Sequence, residues 1–140
     1  MPFPEGKILT RREEREQAFI LLFEKAFNEE TEIAELYDFA IENEVITGSD
    51  FVKSLLFKTW ENVENIDSVI EKYSVGWKLS RISKVALAVL RLAVCEILYF
   101  DDIPAGVSIN EAVELCKKYA VKEDAAYVNG LLGSASKELK

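Results

Sequence analysis

The stretch VALAVLRLAVCEILYFDDIP, residues 85–104, decides the fold class. From Val85 to Phe100 only Arg91 and Glu96 carry charge, and the run is apolar on nearly every side. Such a pattern predicts a helix buried at the centre of a soluble bundle, over about Arg81 to Phe100. The run is interrupted by its two charges and is shorter than the roughly 20 residues that a membrane span needs. Pro104 ends it, because proline has no amide proton to donate and restricts Ile103 before it.

Working outward, helical spacing recurs on both sides and no strand pattern emerges. Thr10 and Glu13 have the spacing of a capping box, in which each side chain satisfies a free backbone amide. The helix they open is expected to run to about Asn28, with Phe19, Leu22, Phe23 and Ala26 on one face. A second is expected over Thr31 to Val45, and a third from an Asp50 cap through Trp60. After a bend near Glu61–Asn65, Ile66, Val69, Ile70 and Tyr73 mark a short fourth. Beyond Pro104, Ser108 and Glu111 repeat the capping-box spacing and predict a helix to about Tyr119. Glu123 and Asp124 are expected to cap a last helix that ends near Leu139. The fold class is therefore all-α, with six or seven helices. Gly130 interrupts that last helix, which the close approach of a neighbouring helix would explain.

The chain has 140 residues, enough for one ordinary domain and too few for two independent cores. With 49% apolar and 30% charged residues it can bury a core and stay soluble, which argues against disorder. It contains no histidine, which removes the commonest metal ligand and the commonest general base. Cys95 and Cys116 form no CxxC, so no metal, cofactor or disulfide framework is expected, and a reducing cytoplasm fits. Both thiols are expected to act as small hydrophobes, and Trp60 and Trp77 as core or interface rings. The N-terminus has no signal-peptide pattern.

Net charge is −8, but it is unevenly spread. Residues 21–75 carry thirteen acids against four bases. Residues 1–20 are balanced and residues 76–140 carry nine bases against eight acids. A basic footprint is therefore expected where the two ends of the chain meet, despite the acidic total.

Three stretches together resemble the NusB family of bacterial transcription antitermination factors. They are RREEREQAFILLFE from Arg11, LRLAVCEILYFDDIPAGVSINEAVELCKKYA from Leu90, and YVNGLL from Tyr127. The family likewise pairs an Arg-rich first helix with LR-x-A-x-x-E-L, IP-x-x-V-x-INEAVE and FVNG segments, in this order. The resemblance implies a single NusB-like domain of two small helical bundles, approximately residues 1–75 and 76–140. It also implies a non-enzymatic factor that binds single-stranded boxA-type RNA with the ribosomal protein NusE. Such a factor couples RNA to the transcription elongation complex and promotes read-through, notably of ribosomal RNA operons.

On pattern alone, Arg11, Arg12 and Arg15 read as a solvated helix face neutralised by Glu13, Glu14 and Glu16. The resemblance assigns them, with Lys7, to RNA. Tyr127 is either a stacking platform for a base or a core ring. Asn129 serves either a base edge or a hydrogen bond within the bundle. Glu111 is expected to cap with Ser108, and Lys117 and Lys118 to extend the basic surface. Lys84, Leu87, Ala88 and Arg91 share one face of the fifth helix. Either that face meets a partner, NusE or a second copy in a homodimer, or another helix covers it. The central expectation is that Arg11 and Tyr127 come together on one cationic shelf. Two other readings remain: a helical protein-interaction module without RNA, and a NusB-like accessory domain of an rRNA methyltransferase.

Overall fold

The computed structural model describes residues 8–76 and 78–139. Lys7, expected among the RNA contacts, and Trp77 lie outside the described residues. Those residues form seven α-helices and no strand: α1 Arg11–Lys25, α2 Ile33–Glu42, α3 Asp50–Glu61, α4 Val63–Tyr73, α5 Lys84–Tyr99, α6 Ala105–Tyr119 and α7 Lys122–Leu139. A short 3₁₀ turn, Leu79–Arg81, precedes α5.

α5 is the central post. Most of its residues are buried; Ala86, Ala88, Val89, Leu90, Val94 and Ile97 are all at most 3% exposed. It packs against α1, α3, α4, α6 and α7, so one apolar core runs from Ala18 on α1 to Leu132 on α7. The two charges within the post pair with different helices. Arg91 makes two hydrogen bonds to Asp67 of α4, and Glu96 is paired with Arg15 of α1.

The helix starts show where local signals succeed and where they mislead. Thr10 caps α1 as the spacing predicts: its hydroxyl accepts from the Glu13 amide, and Glu13 accepts from the Thr10 amide. α3 is capped by Ser49 instead of Asp50, which becomes the first helical residue. α2 is shorter than expected, because Glu32 is extended and Glu44 adopts a left-handed φ of 57° just past the helix end. Arg81, expected to open α5, instead closes the 3₁₀ turn, and Ser83 caps the helix proper. α6 starts at Ala105 behind Pro104, so Ser108 lies inside it and caps nothing. The Ser108 hydroxyl donates instead to Glu96 Oε1 at 2.8 Å. Gly130 has no heavy atom of a neighbouring helix within 4 Å of where a Cβ would stand, so close helix approach does not account for it.

The loop before α3 is clamped to α1. Buried Gln17 donates to Thr47 Oγ1 and accepts from the Gly48 amide, both at 2.9 Å. Gly48 sits at φ +75°, and a Cβ there would lie 2.6 Å from both Ile41 Cδ1 and the Tyr37 hydroxyl. This position requires glycine on both counts.

Ion pairs and ring contacts fix the helix directions. Arg12 meets Glu111 and Glu16 meets Lys118, so α1 and α6 run parallel. Arg15 meets Glu96 and Phe27 lies under Lys84, so α1 and α5 run antiparallel. Ser83 donates to Asp124 at 3.0 Å, joining the starts of α5 and α7.

Candidate nucleic-acid interface

The three arginines at the start of α1 have three different environments. Arg11 is exposed; it pairs with Glu14 at 3.1 Å and its guanidinium lies 3.8 Å from the centre of the Phe51 ring. Arg12 is also exposed. Its Nε and Nη2 both donate to the Glu111 carboxylate, the shorter contact being 2.8 Å. That pairing raises the Arg12 pKa above its ordinary value, through the hydrogen bond first and the charge of Glu111 second. Arg15 is 5% exposed and belongs to the core. Its Nε donates to Glu96 Oε2 at 2.7 Å, and its Nη1 lies 3.7 Å from Glu111. The spacing of Arg11 and Arg15 suggests one shared surface, but the structure turns Arg15 inward.

An open cleft of about 290 Å³ runs between α1 and α6 from Arg12. Its bases are Arg12, Arg15, Lys117 and Lys118; its acids are Glu16, Glu111 and Glu114. Below it runs a row of rings. Tyr119 packs on Phe19 at 4.9 Å, Phe19 on Phe23 at 6.0 Å, and Phe23 on Phe27 at 5.1 Å between centroids. Tyr119 and Phe27 are 39% and 59% exposed, so the row surfaces at both ends. A lysine stands over each of those two rings: Lys118 over Tyr119 and Lys84 over Phe27. The Tyr119 hydroxyl donates to Glu16, and its pKa is raised, chiefly by burial and then by that bond.

Tyr127 lies elsewhere. It is half-buried, hydrogen-bonded to the Ser74 hydroxyl, and lines a pocket with Arg81, Ile82 and Ser83. Glu123 and Asp124 face the same pocket. The expected shelf of Arg11 beside Tyr127 is therefore not formed. Arg15 binds α5 at Glu96, while α7 binds at Ser83, 13 residues earlier. At 1.5 Å per residue the two ends are about 20 Å apart along the axis. The ring row crosses that interval, because Lys84 at its far end is the neighbour of Ser83.

Asn129 is two residues beyond Tyr127 on α7 and faces another direction. It is exposed and lines a shallow groove between α6 and α7, with Asn110, Lys117 and Lys122. Of the residues assigned to a partner surface, Ala88 is buried and Leu87 half-buried. Arg91 is held by Asp67 and stands near the Trp60 ring, and Lys84 joins the ring row.

Phe23, Phe27 and Tyr119 are site residues that the sequence does not single out. Phe23 falls on the apolar face of the first helix, and nothing local shows that this face meets Tyr119 from another helix. Among the described residues no group of three or more candidate metal ligands occurs, and no helix is long and apolar enough to cross a membrane. Cys95 and Cys116 are fully buried, and burial pushes both thiols up to about 11.

Fold and surface together define an all-helical protein whose candidate site is an open face of cations and rings. The NusB family model matches residues 12–137, and the chain belongs to the NusB family. The transcription antitermination protein NusB of Natranaerobius thermophilus is 41% identical over 135 residues, covering 94% of this chain and 97% of that one. Its counterpart in Ruminiclostridium cellulolyticum is 44% identical, covering 91% and 88%. Among solved structures, T. maritima NusB superposes with a TM-score of 0.83 at 32% identity, over 94% of each chain. A complex of the antitermination factors NusB and NusE with dsRNA contains a chain that superposes with a TM-score of 0.80 at 29% identity. The match covers 91% of this chain and 96% of that one.

Proposed function

We propose that this chain is a cytoplasmic, non-catalytic antitermination factor that binds boxA-type RNA together with NusE and promotes read-through of ribosomal RNA operons. One observation carries the reading: Arg12, Lys117 and Lys118 line the cleft between α1 and α6, and a lysine stands over each exposed ring of the row, Lys118 over Tyr119 and Lys84 over Phe27. Unpaired bases stack on aromatic faces, and their phosphates seek cations beside those rings. A single strand entering at Arg12 would meet Tyr119 and then, past buried Phe19, Phe27, toward the end of α5 where Tyr127 lies. The carboxylates in the cleft temper the charge, which favours a role for NusE in completing the surface. The related NusB–NusE complex with dsRNA supports the partnership.

The test is a titration of a boxA-like single strand, with and without NusE, at several salt concentrations. Affinity should fall steeply with salt and rise when NusE is added. A matching duplex should bind less well, because its bases are not free to stack. Salt-independent binding, or no gain from NusE, overturns the reading.

A further inference from the structure

We infer that Glu111 is a positioning residue that holds Arg12 in the geometry for gripping an RNA phosphate. This rests on the RNA reading above, and it adds a residue with no RNA contact of its own.

Glu111 takes the Nε and Nη2 edge of the Arg12 guanidinium. The other edge, which includes Nη1, is outside that pairing. The Arg12 side chain is 63% exposed and that of Glu111 only 13%, so the acid sits behind and the cation in front. A phosphate can approach the outer edge without displacing the carboxylate, because a guanidinium offers five donors in a fixed plane.

Glu111 is itself held from behind. Arg15 Nη1 lies 3.7 Å from it, Arg15 Nε binds Glu96 at 2.7 Å, and the Ser108 hydroxyl binds Glu96 at 2.8 Å. Charges therefore alternate from the core to the surface, as Glu96, Arg15, Glu111 and Arg12. The chain of charges is anchored in α5 and spans α1 and α6. A surface arginine loses much side-chain freedom when it grips a ligand. Here that freedom is already restricted before RNA arrives, which is pre-organisation. A lysine at position 12 could not meet the carboxylate and a phosphate in one plane.

The experiment measures binding of a short single-stranded RNA by the full chain and by Glu111→Gln, Arg12→Ala, Arg12→Lys and the Arg12→Ala/Glu111→Gln double variant, each with a thermal melt. Glu111→Gln should bind about tenfold more weakly, and the double variant no more weakly than Arg12→Ala alone. Arg12→Lys should lose affinity although its charge is kept. In the free protein, the Arg12 Nε–H resonance should be protected in the wild type and lost in Glu111→Gln. Equal or tighter binding by Glu111→Gln would make the carboxylate a bystander or a competitor and overturn the inference. So would an undiminished effect in the Arg12→Ala background, which would place its action in the fold. Both results leave the RNA reading intact. Failure of the wild type to bind RNA even with NusE present defeats both the inference and the RNA reading.

Discussion

Arg15 Nε donates to Glu96 Oε2 at 2.7 Å, and the two residues are 5% and 2% exposed. This buried ion pair joins α1 to the central post across 81 positions of sequence. Removing one partner leaves the other charged and buried, which typically costs about 3–5 kcal/mol. Arg15→Ala and Glu96→Ala should each lower stability by that order in urea unfolding. Replacing the pair by Met and Leu should cost much less than either single change. A single alanine variant as stable as the wild type would show that the pair is not a structural anchor.

The exposed cations should behave differently. Lys118→Ala and Lys84→Ala remove groups over exposed rings and should leave unfolding midpoints nearly unchanged. Each should reduce the salt dependence of RNA binding by about 0.7 in the log–log slope, the share of one phosphate on a single strand. An unchanged slope for both would take the RNA path off the ring row.

Tyr127 separates stacking from hydrogen bonding. Tyr127→Phe keeps the ring and loses only the bond to Ser74, worth about 1 kcal/mol of stability. RNA affinity should be close to that of the wild type. Tyr127→Ala should weaken RNA binding by about 1–3 kcal/mol if a base stacks there. Equal RNA affinity for Phe and Ala at this position would make the ring a core element only.

What can be read in the sequence follows a physical division. Helix number, the α1 capping box and the buried character of α5 depend on residues within a few turns of one another, and these are legible. The start of α6 is misleading because Ser108 and Glu111 have capping spacing, while Pro104 has already set the helix four residues upstream. The partners of those two residues explain the error. Ser108 serves Glu96, and Glu111 serves Arg12, 99 positions away. The ring row is illegible for the same reason: Phe19 and Tyr119 meet only after α1 and α6 are laid side by side. The charge segmentation identifies two ends without excess acid, but not that α6 meets the start of α1 while α5 holds the Tyr127 region about 20 Å away from Arg15.

The glycines give opposite expectations. At Gly130, exposed and with open space at its Cβ position, alanine should stabilise α7 by about 0.5–1 kcal/mol through its helix propensity. At Gly48, with φ +75° and two atoms at 2.6 Å, alanine should destabilise by more than about 1 kcal/mol. Thermal unfolding of the two variants should shift in opposite directions. A shift of the same sign in both would refute the backbone argument at one of them.

The two thiols predict how stability responds to alkali. Burial pushes Cys95 and Cys116 up to about 11 from an ordinary value of 9.0. Between those values the unfolded chain releases its thiol protons while the folded chain keeps them. The folded state then binds more protons, so stability must fall as pH rises from about 9 to about 11. Tyr119, with its pKa raised by burial and by Glu16, adds to the loss at the upper end of that range. Urea midpoints measured from pH 7 upward should be flat in these groups' contribution and then decline. The decline should be shallower in a Cys95→Ala/Cys116→Ala variant, even though that variant starts from lower stability. Near pH 8 both sulfurs are protonated and buried, so iodoacetamide should label neither in the folded protein and both after urea unfolding. Rapid labelling of the native chain at pH 8 would mean that α5 or α6 opens far more readily than its packing implies.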